Sequence, residues 1–166
     1  IYTIKATSTT LTGSGKLAVG DLITVTGTTS NNSTFTVSTV VSTLEITVSE
    51  AVTSENSDGS TSVTLDHVGF VSDKAKGDGY YSQPDGVHTV AYQVAHDFNE
   101  NATIKMQGTL ATTPTEDDWI DIPGTTFTSD TSTVTSSANF TGNYVWVRSK
   151  TQLLTAGTVN SILLNS

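Results

Sequence analysis

Apolar and polar side chains alternate at period two along the first third of the chain. Ile23 and Val25 share one face of the run 22–27. Phe35 and Val37 share a face with Thr39, Leu44, Ile46 and Val48 point together, and Val63 with Leu65 repeats the pattern. This alternation predicts strands with one buried and one wet face. Gly20-Asp21, Ser30-Asn31-Asn32-Ser33 and Ser57-Asp58-Gly59-Ser60 separate the runs. Their Gly, Asn and Asp residues accept turn conformations that β-branched residues resist. Tyr2-Thr3-Ile4-Lys5 adds a candidate N-terminal strand.

The rhythm breaks across residues 67–86, where Asp73-Lys74-Ala75-Lys76-Gly77-Asp78-Gly79 and Gln83-Pro84-Asp85-Gly86 read as loop or linker. Phe70, Tyr80 and Tyr81 are candidates to pin that segment down. Strands resume beyond it. Val90, Tyr92 and Val94 alternate with Ala91, Gln93 and Ala95, and Ile104, Met106, Gly108 and Leu110 alternate with Lys105, Gln107 and Thr109. Further candidates are 119–122, 125–128, 144–148 and 159–164. Thr115-Glu116-Asp117-Asp118 fits one helical turn capped by Thr115, and no segment sustains a 3.6-residue apolar period. The predicted fold is therefore all-β, in two small antiparallel domains. Residues 1–66 form a small barrel or sandwich, 67–86 a linker, and 87–166 an Ig-like or jelly-roll-type sandwich. The two halves do not look like copies of each other.

Composition agrees with this pattern. Thr and Ser make up about a third of the 166 residues, and Thr suits a pleated surface that is half wet. The formal net charge is −9, and the seven Lys and Arg residues are scattered along the sequence. Nucleic-acid binding calls for a basic stripe, so nucleic acid is not an expected partner. No apolar run reaches membrane-spanning length, so no membrane insertion is expected. The absence of cysteine excludes disulfides and thiolate metal sites. The chain opens at Ile1 rather than Met, as a processed product or a portion of a longer chain would.

Candidate chemistry is sparse. His67, His88 and His96 with the many serines supply the parts of a triad, yet no serine sits in a G-x-S-x-G elbow. His96-Asp97 with Glu100, and Glu116-Asp117-Asp118 with Asp121, are carboxylate clusters of the kind calcium uses, but neither has EF-hand spacing. The expectation is no catalytic residue, no metal and no cofactor, hence no enzyme. Sequons at Asn31, Asn32, Asn101 and Asn139 are what a Ser/Thr-rich chain produces by chance. The polar tracts 53–62 and 125–135 read as exposed hairpin ends.

The aromatic residues offer the one candidate binding surface: Trp119, Tyr144 and Trp146, with Arg148. Tyr144, Trp146 and Arg148 fall on one face of a strand and Val145 and Val147 on the other. With the valines inside, a Tyr-Trp-Arg row faces outward and serves as an anchor for a sugar or a neighbouring subunit. With the aromatics inside, Trp146 is a core residue. Large aromatics dominate small sandwich cores, which favours the core reading for Trp146.

Two stretches carry a resemblance. Gly20-Asp21-Leu22-Ile23-Thr24-Val25-Thr26-Gly27-Thr28-Thr29-Ser30-Asn31-Asn32-Ser33-Thr34-Phe35-Thr36-Val37 resembles a module of tailed-phage structural proteins, with Ser33 where Gly is usual. Residues 107–112 and 114–119, followed by Gly142-Asn143-Tyr144-Val145-Trp146-Val147-Arg148, are similar to C-terminal modules of virion structural proteins from myovirus-like phages, marine cyanobacterial ones included. The resemblance implies a virion structural protein on the particle surface: capsid decoration, neck or tail appendage, or tail fibre. Its implied partners are other virion proteins of the capsid or tail lattice and copies of itself. It carries over no binding residues. Two other readings stay open: a receptor- or glycan-binding fibre domain that meets a cell-surface glycan, and a self-assembling bacterial or archaeal surface-layer or filament subunit.

Overall fold

The computed structural model describes residues 2–6, 17–56, 63–84, 86–95, 102–128, 134–154 and 157–165. The chain is all-β. Its strands are β1 (Tyr2–Lys5), β2 (Asp21–Thr26), β3 (Ser33–Ser42), β4 (Glu45–Val48), β5 (Thr64–Val71), β6 (Ala75–Lys76), β7 (Val87–Val94), β8 (Thr103–Thr109), β9 (Ile120–Asp121), β10 (Phe127–Thr128), β11 (Thr135–Thr141), β12 (Trp146–Gln152) and β13 (Val159–Asn165). The only helical turns among the described residues are 3-10 turns at Asp78–Tyr81 and Glu116–Asp118. The chain divides into two compact units, residues 1–70 and 71–166.

The first unit is an antiparallel sheet in the order β1-β4-β3-β2-β5. The long β3 serves two neighbours. Ser33–Thr36 pair with β2, whereas Val37–Ser42 pair with β4 through two register shifts. Such bulges bend a strand, which lets the sheet fold over its own apolar face. Leu17, Ile23, Val25, Phe35, Val37, Ile46 and Val48 fill that fold, with Ile4, Val52 and Leu65 partly buried beside them. The sheet does not close into a barrel among the described residues. Thr39, expected on the same face as Phe35 and Val37, is exposed. The register shift between Val37 and Thr39 breaks the alternation at that point.

The second unit is a two-sheet sandwich. In one sheet β12 lies between β6 and β8, and β8 pairs with β9 and β10 on its other edge. The other sheet has the order β11-β7-β13. The core takes Val90, Tyr92 and Val94 from β7, Phe140 from β11, Ala102, Ile104 and Met106 in and beside β8, Val147 from β12, Phe127 from β10 and Ile122. Strand β11 has the polar sequence TSSANFT, and Ala138 and Phe140 are what face it inward.

Residues 67–86, expected as a linker, are largely structured: β5 runs to Val71, and β6 and the 3-10 turn Asp78–Tyr81 follow. The glycines that read as loop punctuation there permit close packing instead. A Cβ on Gly77 would strike the Tyr144 carbonyl, and one on Gly79 would lie 2.6 Å from the Asn143 oxygen. The Gly77 and Gly79 N–H groups donate to Val145 and Tyr144 carbonyls at 3.0 and 2.8 Å. The tract 125–135 also departs from its reading as an exposed hairpin end. Thr125 and Phe127 are buried, and residues 129–133 lie outside the described residues.

Candidate functional site

Strand β12 decides what the outer face of the second unit carries. Val147 is fully buried in the core, so alternation turns Trp146, Arg148 and Lys150 to the opposite face. The reading of Trp146 as a core residue is thereby corrected. Val147 joins the inner surface set by Met106 and Ile104. The indole Nε1–H of Trp146 donates to the Thr112 carbonyl at 3.0 Å.

Arg148 is outward-facing yet only 6% exposed. The segment carrying the 3-10 turn Glu116–Asp118 folds over it. Glu116 accepts two bonds from the guanidinium, at 2.9 and 2.7 Å, and Gln107, its cross-strand partner, accepts a third at 3.0 Å. The Trp119 ring lies with its centroid 4.1 Å from the guanidinium carbon. A planar guanidinium fits this combination of fork and ring; an ammonium would not. Thr115 starts the turn, and its N–H and hydroxyl both donate to the Asp118 carboxylate. Those bonds hold the Asp118 carboxyl below its ordinary range. Asp121 accepts from Gln107 at 2.8 Å and from Lys105 at 2.5 Å. Burial alone would raise the Asp121 carboxyl, but the Lys105 and Gln107 bonds outweigh it and hold the group low. Lys150 stands opposite Lys105. Burial first, then the charges of Arg148 and Lys105, hold its ammonium below the usual lysine range.

Tyr144 does not continue the row. It is partly buried and packs on the core cluster. Its ring lies against Gly108 and Gly142: a Cβ on Gly108 would fall 2.5 Å from Tyr144 Cδ1, and one on Gly142 would overlap the far side of the ring. The four candidate residues thus separate. Trp119 and Arg148 form one stacked pair, Trp146 lies further along the same face, and Tyr144 packs on the core.

Sequence reasoning gave Tyr80 and Tyr81 only a structural part, and Lys74 and Lys76 none. Strand β6 pairs Lys76 with Trp146, so the two share a face. The Tyr80 ring is 4.8 Å from that of Trp146 and 5.2 Å from that of Tyr81. Lys74 Nζ sits 4.4 Å from the centroid of Trp146, and Lys76 Nζ sits 4.2 and 5.4 Å from those of Tyr80 and Tyr81. The signal in the sequence was lysine at alternate positions next to a tyrosine pair, concealed by its resemblance to a charged loop.

The remaining candidates are placed as follows. His88 is buried in the core of the second unit, stacked on Phe140 at 4.9 Å with Nε2 3.3 Å from Asp78 Oδ2. His67 is in the first unit, 3.4 Å from Asp21. His96, Asp97 and Glu100 lie outside the described residues. Among the described residues no group of three His, Cys, Asp or Glu is arranged to hold a metal. Of the sequon residues, Asn31 bonds with Thr53 and Glu55, Asn32 with Thr28, and Asn139 with Thr89. Compared with known proteins, the chain matches no family model, no curated protein and no solved structure.

Proposed function

We propose that this chain is a non-enzymatic accessory structural protein of a tailed-phage particle, displayed on the surface of the head, neck or tail. One observation carries the reading: the outer face of the β6-β12-β8 sheet is a fixed array in which ring, acid and base hold one another in place. Glu116 grips Arg148 against Trp119, and Asp121 ties Gln107 to Lys105. Such an arrangement keeps side chains rigid for contact with a neighbour. A catalytic site instead gathers titratable groups around a space for substrate. Here the acids are bonded to other side chains and His88 is enclosed beside Phe140.

Two further considerations support the particle assignment. The stretches 20–37, 107–119 and 142–148 resemble virion modules. Small β units carried in many copies also suit a lattice, where weak contacts add by avidity. Locating the chain by antibody labelling and electron microscopy of intact particles tests the proposal. It should appear at regular positions on the head, neck or tail at a fixed copy number. Finding a helical filament made of this chain alone, or finding it only free of particles, would overturn the assignment.

A further inference from the structure

The basic residues are scattered in sequence and gathered in space. Lys74, Lys76, Lys105, Arg148 and Lys150 all lie on the outer face of one sheet of the second unit; the other basic residue among the described ones, Lys5, is in β1 of the first unit. They fall into two groups. Arg148 and Lys105 are matched to Glu116 and Asp121, and Lys150 is drawn partly into the protein beside them. Lys74 and Lys76 differ: among the described residues neither ammonium is within ion-pair distance of a carboxylate. Each rests on an aromatic ring instead. A cation–π contact at an exposed site contributes only about 0.5–1 kcal/mol, so an arriving anion can engage these ammonium groups without breaking a strong pair.

The rings beside them are accessible. Tyr80 is 43% and Tyr81 57% exposed. They are not floppy, because the backbone beneath them is tied to residues 144 and 145 by hydrogen bonds. The face therefore combines apolar ring surface, phenol hydroxyls and two un-neutralised ammonium groups. Lys74 and Lys76 are two residues apart on an extended segment, about 7 Å along the backbone.

We propose that Lys74, Lys76, Tyr80, Tyr81 and Trp146 form a binding site for an acidic glycan, wherever the chain is mounted. A sugar ring lays its C–H face on the tyrosines while the lysines take acid groups carried by adjoining sugars. Charge complementarity favours this occupant. The chain carries −9 overall, and Asp73 borders the site on the sequence side. A densely charged nucleic acid needs a continuous basic track to offset that repulsion. A sparsely charged polysaccharide needs only the two local ammonium groups and a stacking surface.

Titration of the full chain, followed by tryptophan fluorescence and calorimetry, tests the site. The probes are a hyaluronate oligosaccharide, which carries one carboxylate on every second sugar, a lightly sulfated dextran, neutral dextran and a single-stranded oligothymidylate. Saturable binding to a carboxylated or sulfated glycan is expected, weakening as salt is raised. The two acidic probes distinguish carboxylate from sulfate preference. Tyr81→Ala and the double change Lys74→Gln/Lys76→Gln should each weaken binding at least tenfold; circular dichroism of each variant confirms that it is folded. Tyr81 is more than half exposed, so its loss is not expected to unfold the unit. Absence of binding to either acidic glycan overturns the proposal. So does equal binding of neutral dextran, tighter binding of the oligothymidylate, or acidic-glycan binding that survives Tyr81→Ala, which would mark a charge effect without a site.

Discussion

The two units use period-two alternation differently. In the first, one face of a bent sheet is apolar, the other is wet, and Phe35 is the only aromatic in the core among the described residues. In the second, both faces of β12 are covered. The inner face meets the core through Val147, and the outer face is overlaid by the segments that carry Glu116, Trp119 and Tyr80. A sheet that needs only one dry face can be specified by a simple repeat. A sheet that organises its second face needs residues from distant parts of the chain to arrive at set positions. The proposed binding face of this protein lies where the simple repeat gives way to that second kind of packing.

The largest expected effect breaks the simpler unit. Phe35→Ala should cost about 3–5 kcal/mol through lost burial and an unfilled cavity. Segment-resolved hydrogen exchange should then show β2, β3 and β4 losing protection. Glu116→Ala tests the second unit's outer layer. It leaves Arg148 buried without its carboxylate, and a cost of about 3 kcal/mol is expected. Exchange should rise in β8 and β12, and β2–β4 should be unchanged. Gly108→Ala places a methyl group against the Tyr144 ring and should cost about 1–3 kcal/mol by overpacking, read as a lower thermal midpoint.

The smallest effect is also the most specific. Burial pushes the Tyr92 phenol up to about 12, although its contact with Thr125 acts in the opposite sense. The folded value lies above the unfolded value near 10. The unfolded chain therefore releases this proton first, and stability should be intact below about pH 10 and fall between about pH 10 and 12. Tyr92→Phe should cost about 1 kcal/mol near neutral pH, where the bond to the Thr125 carbonyl is lost. It should also remove part of the alkaline decline. Denaturant titrations at pH 7 and across the alkaline range would show both. A decline unchanged in the variant would mean that other groups govern it.

Much of the fold was legible because alternation is a local signal. Ile23 and Val25, Ile46 and Val48, and Val90, Tyr92 and Val94 are buried as their spacing predicts. The Thr115 turn was legible for the same reason. Alternation failed at Thr39, where a register shift intervenes, and at Ile120, which is exposed in the two-residue β9. At Trp146 it was silent: valine and tryptophan both prefer burial, and Val147 takes the inner face, in line with Ile104 and Met106 on the neighbouring strand β8. Of the candidate surface, Trp119 and Arg148 were visible as residue types. That they stack on each other, and that Lys74 and Lys76 come to rest beside Trp146, depends on contacts between residues far apart in sequence. The glycines of 77–79 misled because a glycine that permits close approach looks the same as one that permits a turn.

Thr125 deserves a last consequence. Fully buried, it receives the Met106 N–H at 3.1 Å and gives its own hydroxyl proton to the Ile122 carbonyl at 2.7 Å, while its carbonyl takes the Tyr92 phenol at 2.6 Å. One threonine thus ties β7, β8 and the turn after β9 to a common origin. Sliding either sheet by one residue would strand three polar partners in a dry interior simultaneously. The hydroxyl works as a keyed joint, admitting a single alignment of the two layers and rejecting near misses during folding.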